Sequence, residues 1–304
     1  MTIDAVRIQG GEAAETAALP AGSRFWRRLR RNRPALAGLA VLLVLALIAL
    51  CAPLLAPHAP NAQDCTAGSL IGPGGDHPLG TDETCRDVLS RLMFGARVSL
   101  LVGLLAPLVA LAIALPVGAL AALSSRFLDN LLMRTTDLAF AFPDLLLFIL
   151  LRQVLLDTAV PGGSIAVVVL AVSLVSWTTL ARLVRGQLLQ LKRQDFVLAA
   201  QALGASRRRI VLLHMLPNCL GPLLVALAFA VPQAILAESA LSFLGLGVLP
   251  PQATWGAMVN SGYSAIYTQP WLVVYPALAI ALTMLAVTLL ADGLRNALDP
   301  RSQS

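Results

Sequence analysis

Three ionisable side chains sit where a soluble protein would not put them. Asp144, Arg152 and Glu238 fall in or at the edge of long apolar runs. A charge in a membrane span costs about 3 kcal/mol on insertion scales, so it faces a cavity or a partner and can carry a proton, an ion or a subunit contact. Asp144 and Arg152 are eight residues apart, so they share a helix face without easily touching. Gln233, Glu238, Ser239 and Ser242 lie close together and are candidates to border a route through the bilayer. The competing reading puts Glu238 at the interface or in a subunit contact.

Other chemistries are poorly supplied. His58, His77 and His214 are scattered with no ligand spacing, so no metal site is expected. No nucleophile stands beside a base; no catalytic residue, enzymatic activity or cofactor is expected. The single lysine, Lys192, lies between Leu191 and Arg193. A phosphate-binding loop needs Gly-Lys followed by Ser or Thr, so this chain does not hydrolyse ATP that way. Any ATP-driven motor is another chain.

The elements that must position these groups are membrane helices. Of the 304 residues 58% are hydrophobic and 12% charged, against about 25% charged in soluble domains. Apolar segments at 35–56, 98–122, 138–156, 163–181, 219–240 and 271–293 predict an all-α membrane protein with six transmembrane helices. The first run has 22 residues, about 33 Å of helix, too long for the core of a secretory signal. A basic tail, 1–34, precedes it, with its first part expected to be disordered and Trp26 at the membrane interface. A second tail, 294–304, closes the chain.

With the N-terminus inside, eighteen of the 22 basic residues fall on the cytoplasmic side and four outside, as the positive-inside rule asks. Both termini and the 195–218 loop are then cytoplasmic. The arginines flank apolar runs and have no interleaved aromatics, which excludes nucleic acid as a partner.

The 195–218 loop is polar yet patterned. Phe196, Ala199, Ala200 and Leu203 share one helical face; Asp195 is a candidate N-cap and Gly204 a candidate stop. Ser206 can cap a second short helix with Ile210, Leu213, His214 and Pro217 on one side. Arg207, Arg208 and Arg209 would fall in its first turn, where the helix dipole disfavours cations. That points to an anionic partner outside the chain. An amphipathic loop with no partner is the alternative.

Ala199-Ala200, Gly204 and Leu216-Pro217 resemble the "EAA" loop of ATP-binding-cassette importer permeases. Leu198 stands where that family often has glutamate, and His214 where many members have isoleucine. The string His77-Pro-Leu-Gly-Thr-Asp82, with Arg86 to Arg97 after it, is similar to the C-type subunits of dipeptide, oligopeptide and nickel permeases. Trp255-Gly256-Ala257-Met258 is similar to the same branch.

The resemblance implies a type I ABC importer permease fold in the bacterial inner membrane, with a permease core at 98–293 after a first helix and outer loop at 35–97. It also implies that Ala199, Ala200, Gly204, Ala205, Leu216 and Pro217 dock on an ATPase. The implied partners are a second homologous permease subunit, two ATPase subunits and an extracytoplasmic solute-binding protein that docks near Trp255. Peptides are the expected solute.

Val88, Leu89, Leu92 and Met93 would form a short amphipathic helix at the outer surface. Tyr263, Tyr267 and Trp271 read as an interfacial aromatic belt. Cys65 and Cys85 share the outer loop, a disulfide-permissive compartment, and Cys85 stands where relatives usually have glycine. They are either bridged or two free thiols. Two other classes remain open: an ion-coupled carrier using Asp144, Arg152 and Glu238, and a membrane scaffold that transports nothing.

Overall fold

The computed structural model describes residues 21–66, 68–157 and 160–298. The extended elements among them are all helices. They are α1 (Ala21–Arg31), α2 (Arg33–Leu55), α3 (Val88–Leu123), α4 (Arg126–Phe140), α5 (Asp144–Asp157), α6 (Gly163–Leu191), α7 (Asp195–Ala202), α8 (Arg207–Phe243), α9 (Trp255–Tyr263) and α10 (Trp271–Leu298). Five of them, α2, α3, α6, α8 and α10, are long and apolar enough to cross a membrane; the bent pair α4–α5 makes a sixth span if counted as one.

Small residues set the core. α3 and α6 make the most extensive helix contact. Ala110, Ala114 and Ala181 are fully buried in that seam, and a Cβ on Gly118 would lie 2.6 Å from the Ala181 carbonyl oxygen. The two backbones can approach because neither carries bulk there, which is how helices associate where lipid offers no hydrophobic drive. The larger core lies toward the other end, where Val102, Val168, Val172, Ile235 and Leu241 are buried.

Three spans depart from expectation. The short amphipathic helix expected at 88–93 is not separate: Val88 is buried and begins the 36-residue α3, about 54 Å long and longer than a bilayer core. Asp87 caps it, its carboxylate accepting from the Ser90 amide. The third span is not one helix over 138–156 but two, α4 and α5, meeting at 98°. Pro143 has no amide hydrogen to give and disfavours helical geometry at Phe142, so the chain breaks rather than bends. Arg185 of α6 then holds α4 by a two-pronged bond to Asp129, and Arg182 pairs with Asp137 at 2.6 Å. Finally, the second short helix expected after Ser206 runs unbroken through a π-helical turn, Ile210–Met215, into the fifth span.

α2 shows how an interior proline is tolerated. Pro53 cannot donate to the Ala49 carbonyl one turn back. Arg97 of α3 donates to that carbonyl instead, and to that of Leu50 at 2.7 Å.

The segment expected to be disordered, the first part of 1–34, falls mostly outside the described residues, whereas α1 carries most of the basic part that follows it. Leu29 of α1 packs on Ala35 and Ala297. The last residues of the 294–304 tail lie outside them as well.

Candidate functional site: a corner, a cavity and an anchor

The first site is the corner between α7 and α8. Asp195 does not cap α7; it is the first helical residue, and Gln194 holds the cap position without a side-chain bond. Asp195 still favours the positive helix end. Gly204 stops α7 as expected. Its φ is +77°, its amide donates to Gln201 O at 2.9 Å, and the Ala205 amide reaches back to Ala200 O at 3.0 Å. Such a left-handed stop suits glycine. Ser206 caps α8, its hydroxyl accepting from the Arg209 amide.

Val197 is the one buried residue of α7. It packs with Val184 and Leu188 of α6 and Ile210, Met215 and Cys219 of α8. The predicted face therefore turns outward. Phe196, Ala199, Leu203, Gly204 and Pro217 are exposed, and Ala200, Ala205 and Leu216 are half-buried. Among the described residues, no heavy atom outside its chain neighbours lies within 4 Å of where a Cβ on Gly204 would stand. The corner is thus a small-residue surface on a firm apolar base.

The second site is a cavity of about 620 Å³ between the α4–α5 break, α6 and α8. Its wall is largely apolar, with Asp144, Ser176, Thr178, Thr179 and Gln233 as polar points. Arg152, on α5 with Asp144, is buried, and its Nε has no hydrogen-bond partner among the described residues. The hydroxyls of α6 were not singled out from sequence; the Ser-Trp-Thr-Thr run at 176–179 was the available signal.

The third is an anchor behind the cavity wall. Glu238 is fully buried. Its carboxylate accepts from the Ser242 hydroxyl at 2.7 Å and from Ser99 of α3 at 3.2 Å. Ser99 in turn accepts from the Trp255 amide at 3.3 Å. Of the four residues expected along a route, Gln233 lines the cavity, while Glu238, Ser239 and Ser242 are buried in this anchor. Trp255 was expected in the outer loop, near where a solute-binding protein docks. It is 1% exposed and its indole donates to Leu92 O at 3.1 Å. A Cβ on Gly256 would lie 2.5 Å from Ser239 O, so α9 sits directly on α8.

The 57–87 segment packs over the same end of the bundle. Cys65 and Cys85 are joined in a disulfide. Asp82 gathers the Thr84 hydroxyl, the Arg86 amide and the Arg86 guanidinium. Hydrogen bonds from the Thr66 hydroxyl and amide hold the Asp64 carboxyl below its ordinary value. Two of the three histidines are not scattered in space: His58 and His77 meet at Asp87. Tyr263 and Tyr267 are exposed and Trp271 is half-buried.

Residues 114–304, which include the corner, the cavity and the α8 and α9 parts of the anchor, match the model of the family described as binding-protein-dependent transport system inner membrane component. The chain belongs to this family. Residues 21–73 match a second model, the N-terminal transmembrane domain of oligopeptide transport permease C. The dipeptide transport system permease protein DppC of Bacillus subtilis is 41% identical over 91% of this chain and 84% of its own length. The oligopeptide transport system permease protein OppC of the same organism is 41% identical over 75% of this chain and 73% of its own. A putative peptide transport system permease protein of Brucella abortus is 41% identical over 90% of each chain.

Among solved structures, a chain of the inward-facing MetNI methionine ABC transporter superposes with a TM-score of 0.58. It has 16% identity and covers 69% of this permease and 96% of that chain. The fold is therefore that of a type I ABC importer permease. The permease is a multi-pass inner-membrane protein and the transmembrane component of a binding-protein-dependent transport system.

Proposed function

We propose that this permease is one of two homologous membrane subunits of an ATP-driven importer of di- or oligopeptides. Its corner at 195–218 lies in the cytoplasm, gripped by one of two ATP-binding-cassette subunits. The opposite end receives an extracytoplasmic solute-binding protein. The observation that carries this reading is the corner itself: Ala199, Ala200, Gly204, Ala205, Leu216 and Pro217 offer a close-approach surface, backed by the buried Val197 and Ile210. The arginines support the orientation, being concentrated on that side with both termini. The peptide solute rests on the relatives, which are dipeptide and oligopeptide permeases.

The cavity is half of a route that the second subunit closes. Gln233 and Asp144 border it, and Glu238, Ser239 and Ser242 hold its wall from behind. ATP closes the motor pair, the corner moves with it, and α8 carries the motion past the cavity.

The test is uptake of a labelled peptide panel by the complete complex in proteoliposomes. Uptake should need ATP inside, the binding protein outside and this subunit. Uptake driven by a proton gradient without an ATPase, or unchanged when this subunit is removed, overturns the reading.

A further inference from the structure

His58, His77 and Asp87 come from three separate stretches: the tail after α2, the loop that follows, and the cap of α3. One donor atom from each lies within 4.8 Å of the others. His77 Nδ1 is 2.9 Å from Asp87 Oδ1, and His58 Nδ1 is 3.9 Å from the same oxygen. The two rings lie 4.6 Å apart, tilted by 32°. The other carboxylate oxygen, Oδ2, is taken by the Ser90 amide at 2.7 Å and hydroxyl at 2.6 Å. Oδ1 is left for the imidazoles, yet only His77 is within hydrogen-bonding distance of it. His58 Nδ1 is buried with no hydrogen-bond partner among the described residues. An unsatisfied buried nitrogen aimed at a shared carboxylate oxygen calls for a third group between them.

We propose that His58, His77 and Asp87 bind one divalent transition-metal ion at the 57–87 end of the permease. Two imidazoles and a carboxylate suit a borderline ion of the zinc type. Metal–ligand bonds of about 2.0–2.2 Å put tetrahedral ligand atoms about 3.4 Å apart, between the two separations found here. Binding needs both Nδ1 lone pairs, so the His77 proton moves to Nε2 and the ion replaces the His77–Asp87 hydrogen bond. Solvent reaches the fourth position on the His58 side, where the ring is 35% exposed.

The surroundings fit a cation. Asp64 is within electrostatic reach of both histidines. The nearby guanidinium groups of Arg86 and Arg91 are turned to Asp82 instead. The loop is held in shape by the Cys65–Cys85 bond and by the Val88 amide on Gly80 O at 3.0 Å. The ion would tie the end of α2 to the start of α3, and the proposal does not depend on what the permease transports.

The test uses the full-length permease without a histidine tag, purified with its partner subunits and freed of metal by chelator. Zn²⁺ binding is read by competition with a chromophoric chelator, and Co²⁺ as a spectroscopic stand-in. The wild type should take one Zn²⁺ per permease, and Co²⁺ should give the visible bands of four-coordinate nitrogen–oxygen ligation. His58→Asn, His77→Asn and Asp87→Asn should each weaken Zn²⁺ by about 100-fold or more, since even outer-shell changes cost 10–100-fold. Asp87→Asn keeps a good helix cap. His58→Asn removes a ligand that no hydrogen bond depends on, so it reports even if the other two fail to assemble. Wild-type affinity no better than that of the His58→Asn/His77→Asn double variant overturns the proposal. So does unchanged affinity in His58→Asn.

Discussion

Substitution of Gly204 separates two explanations of why that position is glycine. Its φ of +77° is left-handed, and among the described residues a Cβ there would meet no heavy atom within 4 Å. Alanine therefore suffers backbone strain alone, about 1–2 kcal/mol, and asparagine less because it tolerates this region. Arginine pays the same strain as alanine, with its side chain in open space. None of the three should prevent insertion, because Val197 and Ile210 hold both arms of the corner through a shared core.

If strain governs function, the order of damage is alanine and arginine equally, then asparagine. If a partner backbone closes on the corner, damage follows size: alanine mild, asparagine worse, arginine complete. The assay is ATP-driven uptake per assembled complex, with retention of the ATPase through purification as the second readout. The docking argument predicts the size order and loss of the ATPase with Gly204→Arg. An arginine variant that keeps its ATPase and transports at the wild-type rate refutes it. So does an asparagine variant near wild type beside a dead alanine one.

Replacing Glu238 by leucine strips two buried hydroxyls, Ser99 and Ser242, of their acceptor and should destabilise the purified complex by about 3 kcal/mol. Glutamine, which keeps one acceptor oxygen, should cost less than half of that by thermal unfolding. Arg97→Ala should cost about 1–2 kcal/mol by leaving the Ala49 carbonyl unpaired, and Pro53→Ala in the same chain should recover part of it by supplying the missing amide. An impermeant thiol reagent without reductant should leave Cys65 and Cys85 unlabelled. Reduction should lower stability by about 3 kcal/mol in the chain-entropy model, to be read as a lower unfolding midpoint that Cys65→Ser/Cys85→Ser reproduces.

What the sequence made legible was whatever depends on local chemistry. Five of the six apolar segments as single long helices, the Gly204 stop and the Ser206 cap follow from hydropathy and backbone preference, and the structure has them. Length was less readable. α6 runs ten residues past its apolar segment because its last turns, with Arg182 and Arg185, are amphipathic and pair with α4. The α4–α5 break is not legible in the apolar segment at 138–156. Pro143 signals a weak point, but whether a helix bends slightly or turns through 98° is decided by what receives the second half. Two groupings were illegible because they are long-range. Ser99 and Glu238 are 139 residues apart, and His58, His77 and Asp87 are joined only by the fold of the 57–87 segment. Spacing rules for metal ligands look for neighbours on one element and pass over candidate ligands brought together from three.

The arrangement of the three sites gives α8 its importance. One helix of 37 residues, about 55 Å, begins beside the Gly204 corner, forms a wall of the cavity and ends in the Glu238 anchor. Its far end is fixed to α3 through Ser99 and pressed on α9 at Gly256, whereas its near end bears an exposed surface. The softer points lie between the two. The π turn at Ile210–Met215, Pro222 and Pro232 all interrupt the regular hydrogen-bond ladder, and none falls beyond Glu238. On the proposed reading, a displacement at the corner cannot be absorbed at the anchored end. It must appear as tilt or bending of the stretch in between, which carries Ala226, Phe229 and Gln233 along the cavity. On that reading, a helix held at one end, gripped at the other and interrupted only between the two couples motor to route without any separate hinge loop.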